Sequence, residues 1–431
     1  MSKHSAAEEI AALQEDEQAE HRAVLRQRGF KAFLVARLGA VFAMQIQAVV
    51  VVWQIYDLTQ NPLSLAYAGL AQFIPMLLLL LPAGDLVDRY RRKYILILSW
   101  LLQGLCSGLL WQLSRSPDVP VEYYYLVLAL FGCGRAFTGP TLQSLLPQIV
   151  PRVQLAQAIA VNSMIMKMAV IGGPLLGGVL YALGGSLAYA VCLLGFVLSA
   201  VLLIPVPVRY ASGKAPEEAT AWRRFTAGIA YIRHRPVIYG AISLDLFAVL
   251  LGGVVALLPI YAQDILHVGP TGLGALRSSV AVGAMLMGLW LSYRPLQQRV
   301  GLAMFVGVAL FGVANLVFAL STWFWVSFLA LLVAGAADMI SVYVRTTLIQ
   351  LATPDEMRGR VSAVNMLFIG SSNELGEFRA GLSAAWFGTV AAAVLGGLST
   401  LVIAGLWAGR YESLRRISRF DEVEARPAGR G

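Results

Sequence analysis

Gly84-Asp-Leu-Val-Asp88-Arg89-Tyr-Arg-Arg92-Lys93 interrupts two long apolar runs with a glycine, an Asp-Arg pair and three consecutive cations. A loop of this charge between apolar runs is typical of the cytoplasmic side of a membrane, where Lys and Arg accumulate. A tight turn with so much charge can also hold two helix ends against a third. The stretch therefore predicts that the chain turns back here between two spanning helices. A charged turn with no further meaning is the alternative.

The composition is that of an integral membrane protein. Of 431 residues, 58% are hydrophobic and 13% are charged, and the mean hydropathy is +0.70. So few charges cannot cover a soluble surface. Cys106, Cys133 and Cys192 lie in apolar runs, without the spacing of a metal site or a disulfide pair. The N-terminal segment is too acidic for a signal peptide, so we expect it to stay in the cytoplasm.

Twelve apolar runs are long enough to cross a bilayer, for which a helix needs about 20 residues. They are 33–56, 66–84, 94–113, 123–145, 157–182, 187–207, 237–263, 272–292, 301–320, 324–350, 361–382 and 388–409. With the first loop outside, the five inner loops hold 15 Lys or Arg and the six outer loops hold one, Arg115. This asymmetry predicts that both termini are cytoplasmic. The net charge of +9 follows that topology, so it does not indicate a nucleic-acid partner.

The longest inner loop divides the chain into two groups of six helices. We predict a cytoplasmic segment 1–32, an N-terminal bundle 33–207, a linker 208–236, a C-terminal bundle 237–409 and a cytoplasmic tail 410–431. An internal repeat supports the division, because Pro151 through Asn162 parallels Pro354 through Asn365 at an offset of 203 residues. The linker contains an amphipathic piece that fits either a surface helix or a solvated loop.

Charged residues are distributed unevenly among the predicted helices. Helices 3, 6, 9 and 12 contain no Asp, Glu, Lys or Arg between their ends, whereas helices 1, 4, 5, 7, 8, 10 and 11 do. A charge in hydrocarbon costs from about 3 to more than 10 kcal/mol. The charged helices are therefore predicted to surround an aqueous passage, and the uncharged ones to face lipid.

The charged loop resembles the loop between helices 2 and 3 of the major facilitator superfamily, whose pattern is a glycine, three residues, Asp-Arg and then basic residues. The matching positions are Gly84, Asp88, Arg89, Arg92 and Lys93. Arg91 departs from the pattern, since the superfamily usually has glycine there. The resemblance implies an all-α integral membrane fold of twelve helices in two parallel six-helix bundles, each built of two inverted triplets.

Two further stretches resemble this superfamily. In helix 4 an intramembrane arginine, Arg135, is followed by Thr138 and Gly139, with threonine where glutamine is common. The helix 5 stretch resembles exporters and antiporters more than importers. Its matching positions are Gly173, Pro174, Gly177 and Gly178. Small residues at this spacing let helices pack backbone to backbone, and the proline allows a bend. Ordinary close packing is the alternative.

Polar residues of the N-terminal half lie where lipid would reject them. We predict that the substrate cavity is lined by Arg37, Gln45, Gln47, Gln54, Arg135, Asn162 and Lys167. An arginine near the bilayer centre needs an acidic partner or an anionic ligand, because it does not deprotonate. A structural salt bridge between helices is the alternative for Arg135. Trp53, Tyr56 and Tyr67 are more typical of membrane-interface anchors.

The C-terminal half supplies the acids that are candidates for proton coupling. They are Asp338, Glu374, Glu377 and Asp245. The 203-residue offset sets Asp338 against Arg135, and a carboxylate facing a fixed cation loses that attraction when it is protonated. Asp338 is therefore the first choice. A structural ion pair explains each acid equally well.

Glu374 and Glu377 are the second choice for coupling. They are three residues apart on one face of helix 11, with Arg277 and Arg379 as local partners. Arg345 near the inner end of helix 10 is assigned to an inner gate or to lipid headgroups.

Shorter stretches, Ala36 to Leu38 and Pro354 to Val361, are similar to the branch of the superfamily typified by the bacterial enterobactin exporter. This implies a monomeric transporter of the bacterial inner membrane that exports a small organic molecule, a siderophore or a drug, by proton-driven alternating access. The cationic N-terminal half suits an anionic cargo. An importer or lipid flippase of the same fold, a receptor and a membrane enzyme are the alternatives.

Other functional classes lack their sequence signals. There is no Gly-rich loop ending in Gly-Lys-Ser/Thr, and the four histidines are not clustered. We therefore expect no nucleotide, metal or other cofactor. No nucleophile and base are clustered either, so we expect a transporter and not an enzyme.

Overall fold

The computed structural model describes residues 28–116, 119–151, 154–208 and 221–424, so most of the predicted N-terminal segment, the middle of the linker and the end of the tail lie outside the described residues. The main helices are α1 (Arg28–Thr59), α2 (Pro62–Arg89), α3 (Arg92–Leu113), α4 (Val121–Ile149), α5 (Leu155–Leu183), α6 (Gly185–Leu203), α7 (Ala221–Arg233), α8 (Pro236–Gly252), α9 (Gly269–Tyr293), α10 (Val300–Leu320), α11 (Phe324–Ala352), α12 (Asp355–Phe387) and α13 (Thr389–Arg410). Predicted helices 1–6 correspond to α1–α6, and predicted helices 7–12 to α8–α13. α7 lies in the linker.

Short connections join neighbouring helices. At the start of α2 the Asn61 side chain accepts a hydrogen bond from the Leu63 backbone N–H, and Pro62 occupies the first turn, where no N–H is needed. Gly184 (φ 155°) and Gly388 (φ 86°) make one-residue turns after α5 and α12, in a conformation that favours glycine. We call the face where α1 begins and α13 ends the terminal face, and the opposite one the far face.

The four helices without charge between their ends, α3, α6, α10 and α13, lie at the periphery, as the sequence predicts. Each turns a stripe of exposed apolar side chains outward at helical spacing. The stripes are Leu98, Leu101, Leu105 and Leu109 on α3, Leu194, Leu198 and Val201 on α6, Val306, Leu310, Val313 and Val317 on α10, and Leu395, Leu398, Val402 and Leu406 on α13. So large an apolar surface is compatible with hydrocarbon around the molecule.

In the part of the chain that the structure describes, ten helices are long and apolar enough to cross a membrane. The two long helices that do not meet this criterion are α4 and α12, with 29 and 33 residues. They carry Arg135 and the pair Glu374 and Glu377. The fold is that of an all-α integral membrane protein, and the count of twelve spanning helices stays a prediction.

The charged loop between α2 and α3 binds the ends of other helices in the N-terminal half. The Lys93 ammonium donates to the backbone carbonyls of Ile204 and Val206 after α6, the latter at 2.8 Å. The Arg92 guanidinium donates to the Ser144 carbonyl of α4 at 3.1 Å. Carbonyls at helix C-termini lack intrahelical partners, and cations there are stabilising. The loop therefore ties α3, α4 and α6 together.

The start of the same loop makes little contact. A Cβ on Gly84 would have no atom within 4 Å, and Arg89 is exposed. The side chain of Asp88 lies outside what the structure describes. Gly84 and Arg89 are therefore free to meet a partner in another conformation.

The predicted continuous helix 237–263 is broken after Gly252. The chain goes on through short 3-10, α and π turns, Val255–Leu257, Leu258–Ile260 and Tyr261–Ile265. The carbonyls that the break frees must be satisfied within the protein. Arg379 of α12 donates to the carbonyls of Leu250 at 3.0 Å and Gly253 at 3.4 Å, and Asn315 of α10 donates to Gly252 at 3.3 Å. The prediction that Arg379 pairs with Glu374 or Glu377 is therefore wrong.

The linker helix α7 packs on the terminal side of the C-terminal half. A Cβ on Gly228 would overlap the Arg360 carbonyl of α12, and the Tyr231 hydroxyl donates to the Ala352 carbonyl at 3.2 Å. The described part of the linker is therefore docked on the protein and is not a solvated loop.

The tail folds back onto the C-terminal half, against α8, α10 and α11. Its helices α14 (Glu412–Arg415) and α15 (Asp421–Glu424) follow α13, and the Gly301 backbone N–H of α10 donates to the Ile417 carbonyl at 3.0 Å. The side chains of Leu414 and Ile417 are buried there.

Candidate functional site

Hydrogen bonds join the two halves at the far face. Tyr56, near the end of α1, donates to the Asp264 carboxylate in the broken stretch after α8. Deeper between the halves, Arg277 of α9 donates to the Ala48 carbonyl of α1 at 3.3 Å. These bonds close the far face between the halves. Tyr56 is buried, so its prediction as a membrane-interface anchor is wrong.

Glycines bring the backbones of the two halves together at the same face. A Cβ on Gly178 of α5 would overlap the Pro270 carbonyl of α9, and a Cβ on Gly274 would overlap the Pro174 carbonyl. Only glycine allows this approach, because any side chain would force the helices apart. The seam between α5 and α9 is therefore made by backbone contact.

The other two glycines of the α5 motif face the N-terminal half. A Cβ on Gly173 would overlap the side chain of Gln45, and one on Gly177 would lie 3.0 Å from the Ile46 carbonyl oxygen, both in α1. The motif thus serves packing within one half and the seam between the two.

We expect Gly178→Val to open the far face. The new side chain has no space beside Pro270, and such overpacking costs about 1 to 3 kcal/mol. A cysteine introduced at Ala48 should then react with a maleimide added at the far face about tenfold faster than in the parent. Gly405→Val is the control, since a Cβ there meets nothing within 4 Å. An unchanged rate in Gly178→Val would contradict the far-face seam.

An ion pair crosses between the halves near the middle of α4 and α12. Arg135 lies 3.8 Å from the Glu374 carboxylate, with side-chain exposures of 29% and 20%, and it also donates to the Gln72 side chain of α2. Glu377, one turn farther along α12, and Arg277 interact electrostatically with Glu374. Proton uptake by a carboxylate held between cations removes its attraction to them.

Asp338 is not the acid that meets Arg135, and the prediction that sets these two against each other is wrong. An offset between repeats marks equivalent positions, and equivalent positions lie on opposite sides of the repeat axis. Asp338 is half-buried on α11, within electrostatic range of Asp245 and Arg345. Glu374, the second choice, is the partner of Arg135.

Asp245 of α8 and Arg345 of α11 form a buried ion pair inside the C-terminal half. Their atoms are 2.8 Å apart, with side-chain exposures of 7% and 3%. Arg345 also donates to the Asn365 side chain at 3.4 Å. Its assignment to an inner gate or to lipid headgroups is wrong, because it is enclosed by its own half. A coupling role for Asp245 stays a prediction.

A cavity of about 520 Å³ lies between Arg135 and the terminal face, in the concave side of the N-terminal half. Its polar lining is Arg37, Gln103, Arg135, Thr138, Gln143 and Asn162, and its large apolar lining includes Met44, Met76, Trp100, Met166 and Phe196. A second cavity of about 340 Å³, between α1, α5 and α9, shares Arg37 and Asn162 and adds Lys167. A third, of about 70 Å³, touches Arg135 together with Gln45 and Gln47. The three cavities therefore adjoin one another through shared lining residues, and the three cations lie on their walls.

Six of the seven predicted cavity residues line these cavities, and Gln54 does not. Gln54 is buried and donates to the Tyr124 hydroxyl at 3.0 Å, so it joins α1 to α4. Gln47 has a second contact, since its side chain accepts from Ser107 of α3. Sequence reasoning missed Gln103, which donates to Thr138 at 3.0 Å. The available signal was a glutamine in the apolar middle of α3.

Two halves that are closed together at the far face and have a cationic cavity toward the terminal face are the arrangement of a secondary transporter. The chain belongs to the transmembrane secretion effector family of the major facilitator superfamily, whose sequence model matches residues 19–427. It is therefore a multi-pass inner-membrane transporter that exports a small molecule, and not an enzyme.

Its curated relatives include enterobactin exporters. The enterobactin exporter EntS of Citrobacter koseri is 27% identical over 386 residues, covering 88% of this chain and 90% of the relative. EntS of Salmonella typhimurium is also 27% identical, with the same coverage.

Solved structures agree in fold. A bacterial homologue of the human lysosomal transporter Spinster, in an inward-facing and unoccupied conformation, has a TM-score of 0.71 at 16% identity, covering 94% of this chain and all of that one. A bacterial homologue of the iron transporter ferroportin, in an inward-facing state, has a TM-score of 0.68 at 18% identity, covering 89% of this chain and 99% of that one.

Proposed function

We propose that this chain is a monomeric, proton-coupled exporter of an anionic small molecule of the siderophore class. The observation that carries the proposal is the ion pair between Arg135 and Glu374, which links the two halves beside the cavity. A proton can neutralise Glu374, and an anionic cargo can compete with Glu374 for Arg135. The pair can therefore couple proton binding to cargo binding.

The pair supports alternating access in four steps. In the empty state Glu374 holds Arg135 and the far face is closed. An anionic cargo that enters from the terminal face competes with Glu374 for Arg135. Glu374 then keeps only its electrostatic interaction with Arg277. Once the far face has opened and the cargo has left, the acidic side protonates Glu374. With Glu374 neutral, the other contacts between the halves close the carrier again, and release of the proton into the cavity then re-forms the pair.

The charge and lining of the cavity support an anionic cargo with an apolar body. Arg37, Arg135 and Lys167 are its cations, and methionine and aromatic side chains cover much of its wall. Thioethers and aromatic rings contact one another favourably. The names of the relatives supply the siderophore class, which is carried over here as part of the proposal.

Inside-out membrane vesicles test the transport proposal. Respiration acidifies their interior, so an exporter should accumulate labelled enterobactin inside, and a protonophore should abolish the accumulation. Accumulation that survives the protonophore would contradict proton coupling. No accumulation above vesicles that lack the protein would contradict the cargo, and efflux of labelled cargo would favour an importer of the same fold.

The proposed orientation places both termini and the loop between α2 and α3 in the cytoplasm. In a background without the three native cysteines, Glu122→Cys at the start of α4 should react with an impermeant maleimide in intact cells. Tyr90→Cys, which replaces an exposed side chain in the charged loop, should react only after permeabilisation. The reverse pattern would contradict the orientation.

A further inference from the structure

Two residues of the cavity wall each carry a buried polar atom without a hydrogen-bond partner among the described residues. The atoms are the guanidinium Nε of Arg37 and the amide Oδ1 of Asn162. Both residues line the 520 Å³ cavity and the 340 Å³ cavity, so they lie where the two meet. A buried polar group without a partner is unfavourable, because it has lost its hydrogen bonds to water. In a cavity open to solutes, a ligand can supply the missing partners.

The position equivalent to Asn162 in the internal repeat has the hydrogen bond that Asn162 lacks. Asn365 is the equivalent of Asn162 in the C-terminal half, and its Oδ1 accepts from Arg345 at 3.4 Å. The half that carries the cavity leaves its own asparagine without such a partner. The repeat therefore satisfies this position internally in one half and leaves it available in the other.

The two unpaired atoms require different hydrogen-bond partners. Arg37 stays charged and donates, so it is satisfied by an anionic oxygen. Asn162 Oδ1 only accepts, so it is satisfied by a hydroxyl or an amine. A ligand that meets both carries an anionic oxygen next to a hydroxyl.

We propose that Arg37 and Asn162 form a loading site that binds an anionic oxygen with a neighbouring hydroxyl, the group found in 2-hydroxycarboxylates and catecholates. This deepens the proposed function, on whose anionic cargo it rests. The site is separate from the Arg135–Glu374 pair. Arg37 precedes Met44 by seven residues, about 10 Å along α1, and Met44 shares the smallest cavity with Arg135. Cargo therefore binds first near the terminal face and then moves inward to Arg135.

Calorimetric titration of the purified full chain in detergent tests the site with three probes. Mandelate has the anion and the hydroxyl, phenylacetate lacks the hydroxyl, and mandelamide lacks the charge. Mandelate should bind about tenfold more tightly than phenylacetate, the usual worth of one hydrogen bond to a buried group. Mandelamide should bind more weakly than mandelate.

Variants separate the two contacts. Asn162→Ala should abolish the difference between mandelate and phenylacetate, and Asn162→Gln, which keeps the acceptor, should restore part of it. Arg37→Met should weaken both anions about tenfold and leave their ratio unchanged. Gln298 is exposed and does not line the cavities that contain Arg37, Asn162 or Arg135. Gln298→Ala should therefore leave the affinities for both anions unchanged.

Three results would overturn the loading site: equal binding of mandelate and phenylacetate, a difference that persists in Asn162→Ala, or no binding of either anion. A cooperative thermal transition shows that each variant is folded. The titration contains no pH gradient, so its failure leaves the vesicle test of proton-coupled export to succeed or fail by itself.

Discussion

Glu374→Gln should abolish export driven by a pH gradient and leave exchange of cargo across the same vesicle membrane intact. The amide keeps the size of the side chain but cannot take up and release a proton. At 3.8 Å the charge pair with Arg135 is worth roughly 4 kcal/mol for an effective dielectric constant of about 20. Without this charge pair, the two halves lack the attraction that protonation of Glu374 removes in the parent. Net accumulation should fall at least tenfold, measured as uptake with and without the gradient.

The exchange measurement separates coupling from binding. Glu356→Gln removes an exposed acid near the start of the same helix, so it should retain wild-type accumulation. Asp338→Asn should also retain coupling, because Asp338 does not meet Arg135. If Glu374→Gln accumulated cargo as the parent does, or if Asp338→Asn lost coupling instead, the assignment of Glu374 would fail.

Arg345→Met should destabilise the C-terminal half more than any other substitution proposed here. Removing one partner of a buried ion pair costs about 3 to 5 kcal/mol, because it leaves an unpaired buried charge. In this variant Asp245 loses its cation while Asp338 stays nearby. The unfolding temperature in detergent should fall by roughly 10 °C.

The pH dependence of this loss has a definite sign. Without Arg345, protonation is the remaining way to neutralise the two acids, so the stability of the variant should recover as the pH falls. Arg345→Met combined with Asp245→Leu should regain most of the loss, since a neutral buried pair is tolerated. Arg410→Met, at an exposed position, should shift the transition little. Equal losses in Arg345→Met and Arg410→Met would show that the pair is not structural.

Much of the fold follows from the sequence, because hydrophobic length and the placement of charge are local properties. The uncharged spans were predicted to face lipid, and α3, α6, α10 and α13 are the helices that turn exposed apolar stripes outward. The break after Gly252 was harder to predict, because the run stays apolar and uncharged through it; Gly253 and Pro259 were the available signals. Its carbonyls are satisfied by Arg379, more than 120 residues away along the chain, and no spacing pattern encodes such a contact.

The composition of the site was also more predictable than its pairings. Lipid excludes Arg37, Arg135, Asn162 and Lys167 wherever they lie, so they could be assigned to a cavity without coordinates. Which acid reaches Arg135 depends on how two bundles face each other. The repeat offset reports symmetry and not contact, and it therefore pointed to Asp338 where the structure has Glu374.

A distance measurement across the far face tests the central claim, that the charge of Glu374 holds the two halves together. Spin labels at Tyr67→Cys on α2 and Trp386→Cys on α12 lie in exposed positions on opposite halves. Nearby, a Cβ on Gly381 of α12 would lie 2.9 Å from Ala66 of α2. The account predicts one short distance at alkaline pH, a growing longer population on acidification, and the longer population at every pH in Glu374→Gln. A short distance that changes neither with pH nor in Glu374→Gln would contradict this claim.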